Sequence, residues 1–197
     1  MTRRLLAVGD IETTGIEQVL GHRIIEVAFQ IYDLDTRKLV GKFEQRINPQ
    51  RSIEPEAQAI HGIKFEDLVS EPTWEVIAPK LGALLSKTPY VLAHNGIGFD
   101  VPFIFREFVR ADVPLPEVRV TDSMLQGRWA SPDGALPNLK ALCFACGVPY
   151  DTTQAHAAMY DTDVLARCFF AQFDRGFFTL NPEIYTLPPL TEKKEKK

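Results

Sequence analysis

The 197-residue sequence predicts an α/β fold with a mixed central sheet flanked by helices, and three observations carry that reading. Short apolar runs rich in β-branched residues crowd the first 50 positions, and helix-spaced runs dominate the rest. The two kinds alternate through the middle of the chain, as sheet-and-helix layers require. An apolar content of 45% is enough for one domain with a substantial core.

The first strand is "RLLAVGDI", and "RIIEVAFQIYD" and "KLVGKFEQRIN" follow as two more. Only the turn-prone "DLDTR" separates the last two, too short for a crossover, so this opening trio is expected to be antiparallel. Short helices are expected in "SIEPEAQAIHGI" and "KFEDLVSEP", and a longer one in "TWEVIAPKLGALLSK" despite Pro79. "YVLAHN" is a buried strand, and "FDVPFIFREFVRA" a helix that opens with an aspartate at its positive end. "EVRVTD" is the final strand, before two closing helices in "LPNLKALCFACGV" and "AAMYDTDVLARCFFAQF". The division expected is a domain over residues 1–175 and an extension over 176–197. The extension carries prolines at 182, 188 and 189 and a Lys/Glu-rich end, expected to be partly disordered.

Charge and cysteine usage exclude several classes. Without the four lysines and two glutamates of "TEKKEKK", the body holds 18 basic against 24 acidic residues, a net −6. A protein that grips long duplexes by neutralising phosphates is not built this way. No stretch of about 18 apolar residues exists to span a membrane, and the apolar run at the N-terminus is too short for a signal peptide. Cys143, Cys146 and Cys168 are odd in number and lie in helix-like segments, so buried thiols and a reducing cytoplasm are expected.

Acids then recur where elements end. Asp10 and Glu12 close the first strand, two residues apart and therefore on one face, with Ile11 turned to the other. Asp100 opens a helix after "YVLAHNGIGF", and Asp161 lies in the last helix, a turn or so beyond His156. Each has an ordinary explanation alone: a strand-end acid, a helix-start charge, a surface histidine. Converging at one sheet edge, four carboxylates raise one another's pKa and suit hard divalent cations such as Mg²⁺ or Mn²⁺. Two such ions are a recurrent device for phosphodiester cleavage. An imidazole is suited to take a proton from the attacking water near neutral pH.

"DIETTG", "AHNGIGFD" and "HAAMYD", in this order and spacing, resemble the three exonuclease motifs of the DEDD superfamily in its histidine-containing branch. That branch includes polymerase proofreading subunits, exonuclease X and ribonuclease T-like trimmers. The resemblance covers roughly residues 5 to 173, with "AIHGI", "TDSM" and "LPNLKALCFACGV" as intermediate features. It implies a ribonuclease H-like fold and a 3′–5′ exonuclease holding two divalent cations on Asp10, Glu12, Asp100 and Asp161, with Asp10 between them. His156 is then the general base. Thr13, Thr14 and Gly15 embrace the terminal nucleotide, Gly15 by allowing close approach. His61, Asn95 and Phe99 fall on substrate-side positions, and Asp122 on a supporting acid. Asp163, two residues from Asp161, cannot share its helix face.

The substrate expected from this resemblance is a single-stranded or frayed 3′ end, DNA in preference to RNA, released as nucleoside 5′-monophosphates. An exoribonuclease of the ribonuclease T or oligoribonuclease type is the rival within enzymes. A catalytically silent end-binding or polymerase-scaffolding module is the rival outside them. A polymerase or a second copy of the chain stays open as partner. His22 and His94 receive no role, for lack of an acid partner. Gly9 departs from the bulkier apolar residue usual before the first motif, and a loosened strand is the expected consequence.

Overall fold

The computed structural model describes residues 3–190. Five strands form one mixed sheet in the order β3-β2-β1-β4-β5. β1 (Leu5–Thr13), β2 (Ile24–Asp33) and β3 (Leu39–Arg46) pair antiparallel, as the short connections require. β4 (Tyr90–Ala93) lies parallel to β1, and β5 (Arg119–Asp122) parallel to β4. Reaching β4 takes a long crossover containing α1 (Pro55–His61) and α2 (Trp74–Leu85), the latter running on through Pro79. Reaching β5 takes α3 (Asp100–Arg110).

The alternation along β1 feeds two cores. Ala7 and Ile11 join Val27, Phe29 and Ile31 under α2 and α3. Leu6 and Val8 join Tyr32 and Leu92 under α5 (Leu139–Cys146) and α6 (Ala158–Phe173). Ile11 thus faces away from Asp10 and Glu12. Both faces of β2 are covered along its whole length. Cys143 and Cys168 meet at 3.6 Å between α5 and α6, and all three cysteines are free thiols.

Three local features depart from the sequence reading. β1 continues through Thr13, with a bulge between Glu12 and Thr13, so the acids stand inside the strand just before it re-aims. A short helix, α4 (Ser123–Gln126), follows β5 directly because Asp122 caps it, accepting from the backbone N–H groups of Met124 and Leu125. Gly9 does not loosen its strand. A Cβ there would stand 2.2 Å from the Phe29 ring, so the missing side chain makes room for a fully buried aromatic on the neighbouring strand.

Beyond Gly176 the chain adopts no regular element up to Leu190, but it is not loose. Phe178 is buried in the α6-side core, and Tyr185 and Leu187 pack on the α3-side core. The segment runs along β5 and covers the free edge of the sheet. The expected disorder of the Lys/Glu-rich end concerns 191–197, outside the described residues.

Candidate active site

Because β1, β4 and β5 run parallel, their C-terminal ends and the loops after them meet at one sheet edge. β1 supplies Asp10 and Glu12, the loop after β4 leads into Asp100 at the start of α3, and α6 crosses the edge with Asp161 in its first turn. A chamber of about 210 Å³ is lined by all four acids together with His61, His94, Phe99 and His156. A second opening, about 510 Å³, reaches Asp10, Asp161 and His156 from the other side, past Lys140, Tyr150 and Thr152.

No basic side chain lies among the residues of the small chamber other than its three histidines. Burial raises Asp10 well above the usual carboxylate range, and Asp100, Glu12 and Asp161 push it further. Glu12 is pushed up to about 9, first by burial and then by Glu26. Asp100 rises to about 7 through burial, held back by its own backbone N–H and that of Ile11. Burial also raises Asp161, against the pull of the His156 backbone N–H, which donates to Asp161 Oδ2 at 3.0 Å. Four acidic oxygen donors brought around one chamber are chemically what a hard divalent ion needs. Among the described residues no three or more His, Cys, Asp or Glu side chains are placed together closely enough to hold a metal ion as they stand.

Glu26 went unrecognised in the sequence. It stands on β2 directly opposite Glu12, and Arg46 opposite it on β3 holds it at 3.0 Å. Only the strand register reveals this row, since nothing local marks Glu26.

The histidines divide by their hydrogen bonds. His156 is solvent-exposed, with φ +63° in the left-handed region, its backbone tied to Asp161. His94 is committed: Nε2 donates to the Pro137 carbonyl at 3.0 Å, Nδ1 meets Ser123 Oγ at 2.9 Å, and burial lowers its pKa. In His61, Nδ1 accepts from the Ile63 backbone N–H at 3.0 Å, so Nε2 bears the proton, and that buried atom has no hydrogen-bond partner. Burial lowers the His61 pKa, against the pull of the nearby Thr13 backbone.

Other candidates fall in less direct places. Thr13 lines the small chamber, whereas Thr14 turns inward, its hydroxyl shared between His22 Nδ1 and the Arg23 backbone N–H. His22 does have an acid partner, since its Nε2 lies 3.0 Å from Glu54 Oε1. A Cβ on Gly15 would meet the His22 ring at 2.4 Å, so that glycine serves the backing of the loop. Asn95, at φ +64°, lines an outer groove and not the acid chamber, while Phe99 lines both. Asp122 accepts backbone N–H bonds from Asn95 and Ile97, fixing the loop that delivers Asp100. Asp163 lies outside the cleft, 3.8 Å from Arg167 one turn on. Ile16 and Ile60, beside the first motif and His61, complete the chamber's apolar wall. Their exposure of 65% and 57% is the signal that neighbouring motifs could have drawn attention to.

The exonuclease family model RNase_T matches residues 8–169. DNA polymerase III subunit epsilon of Escherichia coli K12 is 32% identical over 180 residues, covering 87% of this chain and 71% of that one. The subunit of the same name from Rickettsia conorii is 34% identical over 165 residues, covering 81% and 70%. Among solved structures, E. coli exonuclease I in complex with a dA16 oligonucleotide superposes with a TM-score of 0.72 at 19% identity. The match covers 89% of this chain but 42% of that one, so the chain spans less than half the length of exonuclease I. Exonuclease X in complex with 5′-overhanging duplex DNA gives a TM-score of 0.63 at 23% identity, covering 87% and 93%. At these identities the structural matches bear on the fold, which they share.

Proposed function

The chain belongs to this exonuclease family, and from that premise we propose that it removes nucleotides one at a time from the 3′ end of single-stranded or frayed DNA. The observation that carries the proposal is the meeting of Asp10, Glu12, Asp100 and Asp161 with His156 around one chamber. The relatives named as DNA polymerase subunits, and the neighbours solved with DNA, support DNA as the polymer. They also support a polymerase as the partner this chain serves.

Asp10, Glu12, Asp100 and Asp161 would hold two divalent cations, Mg²⁺ or Mn²⁺. When bound, such ions lower the pKa of a water and neutralise charge on the scissile phosphate. The terminal nucleotide enters the 210 Å³ chamber, where Ile16, Ile60 and Phe99 offer apolar surface to its base. The His61 Nε2–H, beside the Thr13 backbone, is placed to donate to the nucleotide. His156 takes the proton of the attacking water, and its exposure lets it return that proton to solvent. The water oxygen bonds to phosphorus as the bond to the 3′-oxygen of the preceding nucleotide breaks. That oxygen is protonated, leaving a nucleoside 5′-monophosphate and a strand one residue shorter.

The test is product analysis on 5′-labelled single-stranded DNA and RNA of matched sequence, with Mg²⁺, with Mn²⁺ and with EDTA. The expected result is a ladder that shortens from the 3′ end, faster on DNA and absent in EDTA. Faster shortening of RNA would replace the substrate. No shortening of either polymer by folded, metal-supplied protein would overturn the proposal in favour of a silent end-binding module.

A further inference from the structure

Ile16 and Phe99 line both the acid chamber and a neighbouring groove of about 650 Å³. Arg106 stands on one side of this groove. The other side is made by Pro188, Pro189 and Leu190, the last described residues of the extension. A segment of the extension has thus been brought to a groove beside the acid chamber.

The route that brings it there is well anchored. Phe178 is 1% exposed, and the Thr179 N–H donates to Gln126 Oε1 at 2.9 Å. Asn181 Nδ2 donates to the Val120 carbonyl at 3.1 Å, and the Tyr185 N–H to the Val118 carbonyl at 2.8 Å. The Tyr185 ring packs edge-on against Phe105 with centroids 5.4 Å apart. Past these anchors, Arg106 fastens both sides of the groove at once. Its Nη2 donates to the Pro188 carbonyl at 2.7 Å, and its Nε to Gln18 Oε1 at 2.6 Å, on the turn that follows the Thr13–Gly15 loop. Both acceptors are neutral, and the groove's lining also includes one carboxylate, Glu17. The two prolines fix their own φ angles and leave little freedom to lose on binding.

We propose that Pro188–Leu190, latched by Arg106, forms one wall of a subsite for the nucleotides immediately 5′ of the one being removed, with single-stranded DNA as its occupant. The proposal rests on the 3′–5′ exonuclease reading above. Continuity decides the occupant. A strand whose last nucleotide lies among the carboxylates must leave the chamber, and Ile16 and Phe99 are common to the chamber and the groove. Chemistry agrees, because apolar surface accepts bases without regard to sequence and a fixed cation attracts the backbone phosphate.

Two truncations separate this wall from the lysine-rich end: one stops after Leu190 and one after Leu187, leaving every anchor above in place. Leu190→Asp, at a side chain 54% exposed, repeats the test without shortening the chain. The first readout is anisotropy of a 5′-fluorescent thymidine tetramer in EDTA. The second is kcat/KM for the tetramer relative to that for the p-nitrophenyl ester of thymidine 5′-monophosphate, which reaches only the chamber. Stopping after Leu187 rather than Leu190 should weaken tetramer binding and lower the kcat/KM ratio by about tenfold each, the scale of one lost base contact. Equal behaviour of the two truncations, or tighter binding once the wall is gone, would overturn the subsite while leaving the exonuclease reading intact. Wild-type protein that neither cleaves the ester nor binds the tetramer would overturn both.

Discussion

Two sets of carboxylates stand at the same sheet edge and are treated in opposite ways. Asp122, 3% exposed, accepts four backbone N–H bonds, from Asn95, Ile97, Met124 and Leu125. Asp100, 5% exposed, sits at the end of the loop that Asp122 organises, yet its pKa climbs to about 7. Asp10, Glu12 and Asp161 climb with it. Asp122 is an acid whose charge the fold satisfies from its own backbone. The other four are supplied less: Asp161 accepts from the His156 N–H and the Tyr150 hydroxyl, Asp100 is held back by two backbone N–H groups, and burial outweighs these donors. Asp100 and Asp161 are about as buried as Asp122, and Asp10 and Glu12 are half-buried, so the supply of donors, not burial, marks Asp122 as structural.

The largest break in this contrast should come from Asp10→Asn. Activity on single-stranded DNA should fall by about 10³-fold or more, the scale of losing a charge-stabilising group at a reacting centre. In EDTA at mildly alkaline pH the same variant should melt higher than wild type, because one unsatisfied charge is gone. An active variant, or a less stable one, would put Asp10 in the structural set.

His156→Gln should lower kcat by about 10²- to 10⁴-fold, as expected for loss of a general base. Its thermal stabilisation by Mn²⁺ should persist, since the four carboxylates remain. Loss of both would mean that the histidine belongs to the ion site.

Asp122→Ala should destabilise the protein by about 3 kcal/mol or more, because it strands several buried donors. Denaturant unfolding reads this directly. A neutral result would show that the four amides find other partners.

Glu26→Gln probes the case between the sets, an acid that faces Glu12 but is held by Arg46. Stability should change by less than about 1 kcal/mol, as for a half-exposed ion pair, while titration of Glu12 moves to lower pH. An unmoved Glu12 titration would mean that Glu26 does not act on it.

Much of this was legible in the sequence, and the limits have a physical cause. Period-two alternation placed Asp10 and Glu12 on one face, the short connection set the antiparallel trio, and the motif spacing marked Asp100, His156 and Asp161. Each of those signals is local. Glu26 became visible only through the β1–β2 register, and the role of Gly9 only through the Phe29 ring that register brings beside it. The partnership of His22 with Glu54, 32 residues on, and the bonds to Asp122 from Asn95 and Ile97, 27 and 25 residues before it, are pairings that no periodicity encodes. The extension carried no regular pattern, because its attachment comes from single bonds to an existing edge and from isolated aromatic anchors.

The central claim, that the fold carries charges it cannot satisfy, is tested most directly by thermal unfolding of the wild-type protein across pH, in EDTA and with Mn²⁺. A carboxyl whose folded pKa is raised binds more protons folded than unfolded between the two pKa values, so stability must fall as pH rises through that window. Asp100 at about 7 and Glu12 at about 9 place the window between about pH 4 and pH 9. The melting temperature in EDTA should therefore drop from about pH 6 to about pH 9, with a shallower drop in Asp10→Asn. Mn²⁺ should restore more of it at the higher pH. A flat profile in EDTA with no response to Mn²⁺ at either pH would contradict the account.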